Sequence, residues 1–452
     1  MIVMKFGGTS VADCAAITRT IGIVESKLQQ RPIVVVSALS KVTDLLYKIS
    51  DKAREKDNEG AADLLRQLRE RHLNLAAELI PDNAEILADA CARVNRLCDN
   101  LEYFVNAVCA LGELSDRSKA VIIGNGEYLS SSIICCAMNA RGIRTRLMDS
   151  RKMIITDNNF LKGEPQTEEI VKNVSREVAE AYTEDMDAVI TQGFVSATAE
   201  GEPTVLGRGG SDYTASLIGM SVDAEVIEIW TDVDGVKTAD PRKVENTLSL
   251  DRISFEEAAE MAHFGAKVLH PMTIEPAVKK NIPIYVLNSM NPSGKGTAIL
   301  QSSFIEDGVK SVSSKSNILV INIFSTKMIN VAGFLMHVFE IFSRNNVSVD
   351  LISTSEATIS VTVDAGSQNI EKVVEELSTF AEVVVDSNKA QVSVIGKNLD
   401  NVNGLLEKTF APLKDYKIYM ISQGSSYINI SFVVDRESLD NIVSLIHRNI
   451  FG

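Results

Sequence analysis

Lys5-Phe6-Gly7-Gly8-Thr9-Ser10 sets a lysine near the end of an apolar run, with two glycines close behind it. Glycines there let backbone N–H groups approach an anion, and the lysine adds charge, so the segment holds the parts of a phosphate cradle. A glycine pair after a strand also serves an ordinary tight turn, and both uses stand at this point. A helix expected to begin at about Thr9 or Ser10 would turn its positive end toward the loop. Gly207-Arg208-Gly209-Gly210-Ser211-Asp212 is a second such loop, between a strand expected over Pro203–Leu206 and a helix expected over Tyr213–Gly219. The arginine fork suits a carboxylate. Asp212 would favour the helix start as its cap.

Three further segments carry chemistry-bearing residues. Thr231-Asp232-Val233-Asp234-Gly235-Val236 follows an apolar run, and Asp240-Pro241-Arg242 marks a turn after it. Phe264-Gly265-Ala266-Lys267-Val268-Leu269-His270-Pro271 ends a helix at a glycine and presents a lysine. His270, just before a proline, reads as a packed loop residue. GKGT at 294–297 has glycine where a P-loop needs Ser or Thr after the lysine, and GNGE at 124–127 lacks the third glycine of a dinucleotide fingerprint.

The elements that must position these residues are short apolar runs ending at glycine or small polar residues: Ile2–Phe6, Ile33–Val36, Ala120–Ile123, Ala188–Ile190 and Val226–Trp230. Such runs read as strands buried on both faces of a mostly parallel sheet. Helical periodicity lies between them, as in Val11, Ala15, Ile17, Ile21, Val24 and Leu28. The fold class is therefore α/β, a mostly parallel sheet flanked by helices. Residues 44–114, dense in Ala, Leu, Glu, Arg and Lys with a turn at Pro81-Asp82, predict an excursion of two or three amphipathic helices. The charge run from Asp51 to Glu59 reads as a solvated face.

With 452 residues the chain has room for two or three domains. Its net charge of −15 argues against nucleic acid or an anionic membrane as partner. An acidic protein that binds anions must build local positive sites, which draws attention to the lysines and arginines beside the glycine loops. The six cysteines form no CxxC pair and no zinc-like cluster with histidine, so buried reduced thiols are expected, Cys135-Cys136 included. The N-terminal apolar run is too short for a signal peptide, and no run of about 18 apolar residues is read, so no membrane span is expected.

Past Pro292-Ser293-Gly294-Lys295-Gly296 the chain turns rich in Val, Ile and Ser, and it repeats itself: residues 330–364 align without gaps on 401–435. Each copy reads strand, turn at Gly333 or Gly404, amphipathic helix, strand, strand. The first copy continues into a helix over Ile370–Phe380 and a closing strand over Ala381–Val385. The second ends on a helix over Ser438–Ile450 and lacks that last strand. Gly308–Ser314, upstream of both, is the candidate to supply it. The reading is one small α+β module inserted in another.

KFGGTSV at 5–11, GRGGSDYTA at 207–215, WTDVDG at 230–235, TADPR at 238–242 and FGAKVLHP at 264–271, all in order, resemble the aspartokinases of the amino-acid kinase superfamily, and the repeated tail resembles paired ACT modules of ferredoxin-like fold. The resemblance implies a catalytic domain over 1–296 and a regulatory region over 297–452, with a first ACT module at about 316–388 inserted in a second made of about 297–315 and 389–452. It implies phosphoryl transfer from ATP, with Mg²⁺, to L-aspartate, giving 4-phospho-L-aspartate as the first step toward lysine, threonine and methionine.

The same likeness assigns residues. Lys5, Asp212 and Lys267 would be catalytic. Lys5, Phe6, Gly7, Gly8, Thr231, Asp232, Lys237, Arg242, Lys267 and Val268 would meet ATP, although relatives often carry tyrosine where this chain has Lys237. Ser37, Thr43, Glu127, Arg208, Gly209, Gly210, Ser211 and Asp212 would surround aspartate. No protein metal site is implied. The first repeat resembles the monofunctional lysine-sensitive class, which makes Met328, Phe334, Leu335, Ser348, Asp350, Thr354, Ser355 and Glu356 the candidate effector site. In the second repeat Ile421 and Tyr427 stand where the first has Asp350 and Glu356, so that copy reads as an interface partner. A cytoplasmic homodimer or dimer of dimers joined through the ACT modules is implied, with no nucleic acid or membrane partner and no segment left for a homoserine dehydrogenase. A kinase for glutamate or another small acid, and a non-catalytic amino-acid sensor, are the competing readings.

Overall fold

Val- and Ile-rich runs bury both their faces only inside a covered sheet, and the computed structural model shows that arrangement for β1 (Ile2–Phe6), β2 (Pro32–Val36), β5 (Ala188–Gln192) and the middle of β8 (Val226–Thr231), while β3 (Thr145–Met148) and β10 (Ile284–Asn288) are partly buried. The structure describes every residue except 266–270, 330–331 and 425, and not the side chains of Pro271 and Met272. With β9 (Arg252–Ser254) and β11 (Thr297–Leu300) these strands form an eight-stranded sheet in the order β3-β5-β2-β1-β8-β10-β11-β9. The pairs from β3 to β10 are parallel, and β10–β11 is antiparallel. A side sheet joins β4 (Ile155–Thr156), β6 (Val195–Thr198) and β7 (Pro203–Val205).

The chain after β1 passes to β2 on one side, while β8 fills the other. Strand order thus reverses around β1, and parallel sheets bind ligands outside the carboxyl ends of their strands at such a point. Lys5, Gly7 and Gly8 lie there, with Lys5 opposite Val35 and Ile229 in register.

Ala120–Ile123 is not a strand. It ends a helix, Asp116–Ile123, that runs through Gly124 into Asn125–Ala140. Four apolar residues in a row, three of them buried, carry no period of their own, so a core helix and a buried strand look alike. The span Asp116–Ala140 also has the length and mean hydropathy (1.3) of a membrane helix, which the sequence reading did not foresee. Of that window 89% is buried inside the protein, so its apolar surface already has a protein partner. The excursion is three helices, Val42–Arg54, Asn58–Leu79 and Ala84–Leu111, with Leu46, Leu68, Leu101 and Val105 fully buried against the same core. The six cysteines are free thiols and four are buried. Burial pushes Cys98 and Cys136 up to about 11 and Cys135 up to about 12, which keeps them protonated and unreactive.

The chain forms two compact units. The first holds Met1–Val236, Asp251–Phe255 and the stretch ending at Ser303. The second holds Phe304–Gly452 together with Lys237–Leu250 and the helix that starts at Phe255, from Glu256 on. The boundary expected at 296/297 therefore moves, because β11 hydrogen-bonds to β10 and β9 of the first sheet. Lys237–Leu250, expected in the catalytic domain, joins the second unit. Ala239 and Val244 are buried there with Leu439 and Ile442, and Thr238 Oγ1 meets His447 Nε2 at 2.8 Å.

The second unit's sheet contains β12 (Gly308–Phe324), β13 (Ile352–Thr354), β14 (Thr358–Asp364), β15 (Glu382–Lys397), β16 (Ile418–Ser422) and β17 (Asn429–Asp435), in the order β13-β14-β12-β15-β17-β16. The upper half of β12, Ile318–Phe324, pairs with β14, and its lower half pairs with the second half of β15. Two long antiparallel strands thus run through both repeats, with a register irregularity between Lys315 and Ile318. Helices Phe334–Arg344 and Ile370–Leu377 cover one half, and Leu405–Phe410 and Leu439–Phe451 the other. Gly333 (φ +91°) and Gly404 (φ +70°) start the paired helices in the left-handed region that glycine enters at little cost.

Candidate active site

The loops at the carboxyl ends of β1, β2, β5 and β8 enclose a cleft of about 820 Å³, into which both glycine loops contribute. The first loop is fixed by its neighbours. Gly7 N–H donates to Trp230 O (3.1 Å), Ser10 Oγ meets Ser289 Oγ (2.8 Å), and a Cβ on Gly8 would stand 3.1 Å from Ala38 O. The helix after it begins only at Cys14, capped by Asp13, so its positive end does not start at Thr9 or Ser10 as expected. The helix termini bordering the cleft are those of Val42–Arg54, Asn125–Ala140 and Gly210–Ser221, which contribute Thr43, Glu127 and Ser211 to its lining.

The second loop closes on the first. Gly209 (φ +73°) starts helix Gly210–Ser221, so Asp212 lies in the first turn and is not the cap. Its carboxylate pairs with Lys5 Nζ at 2.6 Å, both groups being mostly buried. Ser37 Oγ donates to Ser211 Oγ at 3.0 Å, joining β2 to the same loop. Gly193 and Gly210 permit this approach: Cβ atoms there would lie 2.5 Å from Ser211 Cβ and 2.7 Å from Phe194 Cδ2. Arg208 is exposed at the rim and has no ion pair among the described residues.

Glu127 is 3% exposed, and its Oε2 has no hydrogen-bond partner among the described residues. Burial pushes its carboxyl up to about 8, against backbone N–H groups of Ala38 and Glu127 that favour the ionised form. A buried, incompletely paired carboxylate lining a cleft is chemically a cation site.

Phe6 stands apart from the other residues of its loop. Alternation along β1 sends Lys5 toward the cleft and buries Phe6 completely, stacked on Trp230 at 6.0 Å. It supports the loop and offers a nucleotide no side-chain contact. Thr231 lines the cleft and donates to the exposed Asp232. Lys237 and Arg242 belong to the second unit, where Lys237 bridges Ser249 and Arg242 forks onto Asp240 (2.9 and 2.6 Å). Lys267 and Val268 lie outside the described residues.

The effector candidates gather around the first repeat. Met328 and Phe334 pack on its core, Phe334 edge-on to Phe380 at 5.6 Å. Leu335, Ser348, Thr354, Ser355 and Glu356 are exposed. Asp350 is nearly buried and already engaged: Oδ2 lies 2.7 Å from Lys315 Nζ and Oδ1 lies 3.4 Å from His263 Nε2. Burial would push this carboxyl up, but His263 and Lys315 outweigh burial and hold it below its ordinary value. The hydrogen bond to Asp350 raises His263 in return. Sequence reasoning did not connect Lys315 or His263 with Asp350, because they come from distant parts of the chain. It also missed Lys41, Tyr47, Lys162 and Phe194 in the cleft. Of these Lys41 and Phe194 follow predicted strands, Ile33–Val36 and Ala188–Ile190, closely enough to have been found.

Comparison with known proteins agrees with this architecture. The amino acid kinase family matches residues 1–288, and the ACT domain matches 321–379 and 392–450. Lysine-sensitive aspartokinase 3 of Escherichia coli K12 is 34% identical over 467 residues, covering 100% of this chain and 99% of that one. Chloroplastic aspartokinase 1 of Arabidopsis thaliana is 33% identical over 464 residues, covering 99% and 80%. Crystal structures of E. coli aspartokinase III superpose over 100% of both chains at 32% identity, with TM-scores of 0.87 for the R-state complex with aspartate and ADP and 0.81 for the T-state complex with lysine and aspartate. The family match over residues 1–288 and the relatives aligned over the whole chain agree, and the chain belongs to the aspartokinases of the amino acid kinase family.

Proposed function

We propose that the cleft transfers the γ-phosphoryl group of ATP to the side-chain carboxylate of L-aspartate, yielding ADP and 4-phospho-L-aspartate. The observation that carries this reading is the pairing, in one cleft, of an anion cradle at Lys5-Gly7-Gly8 with a buried and incompletely paired Glu127. One end takes phosphates and the other takes an ammonium group. Arg208 at the rim supplies the fork for an α-carboxylate, and Ser37, Thr43, Gly209, Gly210 and Ser211 shape the space between.

The nucleophile needs no base. A carboxylate with an ordinary pKa of about 4 is ionised at neutral pH. The obstacle is repulsion between that anion and the triphosphate, so the chain's task is positioning and charge neutralisation. Lys5 supplies charge at the phosphates. Asp212 holds the lysine in place through the 2.6 Å pair. The N-terminus of Gly210–Ser221 adds its backbone donors. Lys267, Thr231, Asp232, Lys237, Arg242 and Val268 remain the proposed nucleotide contacts outside this cradle. Among the described residues no group of three or more metal-binding side chains occurs. Mg²⁺ is bound chiefly through substrate phosphates and one or two carboxylates. When bound it would neutralise phosphate charge, with Asp212 the acid nearest the cradle.

The second unit is proposed as two ACT modules, the first inserted in the second, that bind L-lysine as a feedback inhibitor at the first repeat. Exposed Leu335, Ile352, Ile421 and Tyr427 offer apolar area for a second copy of the chain. The chain is proposed to work as a cytoplasmic homodimer or a dimer of dimers. A coupled ADP-release assay tests the reading. Turnover with aspartate, little with glutamate and none without acceptor supports it. Equal rates with glutamate would reassign the substrate, and no turnover with any acid would leave a sensor.

A further inference from the structure

Asp350 has no spare oxygen facing a newcomer: one meets Lys315 at 2.7 Å and the other meets His263 at 3.4 Å, in a position only 5% exposed. A further cation placed on this carboxylate would crowd the Lys315 ammonium and the His263 ring in a poorly solvated site, so it must displace one of them. Lys315 is the one built to leave. Its ammonium also contacts the half-exposed Asp364 at 2.8 Å and can keep that partner when it lets go of Asp350. Its side chain ends in the same ammonium, on the same four-carbon stem, that free lysine carries.

We infer that Lys315 is a tethered competitor that occupies the effector's ammonium position on Asp350 and thereby sets how much lysine is needed. This rests on the proposed lysine site at the first repeat, within which Asp350 would take the effector's ammonium. The effector must then present a terminal ammonium on a flexible apolar stem, and it binds by exchanging one lysine head for another. Binding affinity is the free-carboxylate affinity reduced by the competitor's hold, as for any ligand that needs a minor state.

Calorimetric titration of the full-length protein with L-lysine tests this. Lys315→Met keeps the stem, removes the charge and is expected to bind lysine about tenfold more tightly, the worth of one charged hydrogen bond. Lys315→Arg holds Asp350 with a fork and is expected to bind lysine several-fold more weakly; it also carries the test if the methionine variant fails to fold. Asp350→Asn is expected to abolish binding. Unchanged affinity in both Lys315 variants, or weaker binding in Lys315→Met, would overturn the competitor while leaving Asp350 as the ammonium site. Full lysine binding by Asp350→Asn would overturn the underlying reading instead.

Discussion

Glu127→Gln should weaken aspartate binding and stabilise the protein at the same time. In the free enzyme the Glu127 carboxyl is pushed up to about 8 by burial, against an ordinary value of 4.5. Between those values the folded protein holds a proton that the unfolded chain has released. Folded-state stability therefore falls as pH rises from about 4.5 to about 8, by a total on the order of 3–5 kcal/mol at 1.36 kcal/mol per unit. Glutamine removes that loss, so the variant should melt higher than the parent at pH 8 and above.

Binding runs the other way. The aspartate ammonium needs the ionised form, so each substrate bound below pH 8 should expel about one proton. Affinity should improve about tenfold per pH unit up to about 8. The glutamine variant should lose the proton release and the pH slope, and bind aspartate roughly 10- to 100-fold more weakly at pH 8. Calorimetry in buffers of different ionisation enthalpy counts the proton, and thermal melts at pH 6 and pH 8.5 read the stability. A flat affinity profile with no proton released, or unchanged aspartate affinity in the variant, would refute the role given to Glu127.

Lys5→Ala should lower kcat by roughly 10²- to 10³-fold in the ADP-release assay while circular dichroism stays native, since the side chain is a charge at the cleft rather than part of the core. Gly193→Ala should place a Cβ 2.5 Å from Ser211 Cβ and force the second glycine loop away, which should raise KM for aspartate tenfold or more and lower Tm. His72 is fully buried, its Nδ1 2.7 Å from Leu68 O, and burial lowers its pKa to about 4. Below pH 6.5 the unfolded chain takes up a proton that the folded protein refuses, so stability should fall by about 3 kcal/mol as pH drops from 6.5 to 4. His72→Leu should flatten that slope in denaturant titrations.

Strand positions were readable wherever an apolar run ended at a glycine or small polar residue, as at Ile2–Phe6 and Val226–Thr231. Ala120–Ile123 followed the same rule and failed, because an unbroken apolar run of four residues shows no period that separates helix from strand. The gapless repeat was readable in the same direct way, since equal spacing reproduces equal elements: Thr358–Asp364 and Asn429–Asp435 are matching strands. The Lys5–Asp212 contact was not readable from spacing. Both residues were candidates, but only the closing of one glycine loop on the other brings an N-terminal lysine to an aspartate from the middle of the chain.

The sequence by itself determined the lineage, the two glycine loops and the duplicated tail, because these reside in residue type and local order. Tertiary structure alone decided the electrostatics. It turned Phe6 inward, paired Lys5 with Asp212, buried Glu127 without a full set of partners, and placed Lys315 and His263 on Asp350. Charge and burial at a point depend on everything within a few ångströms, and those neighbours come from segments that the linear order keeps far apart.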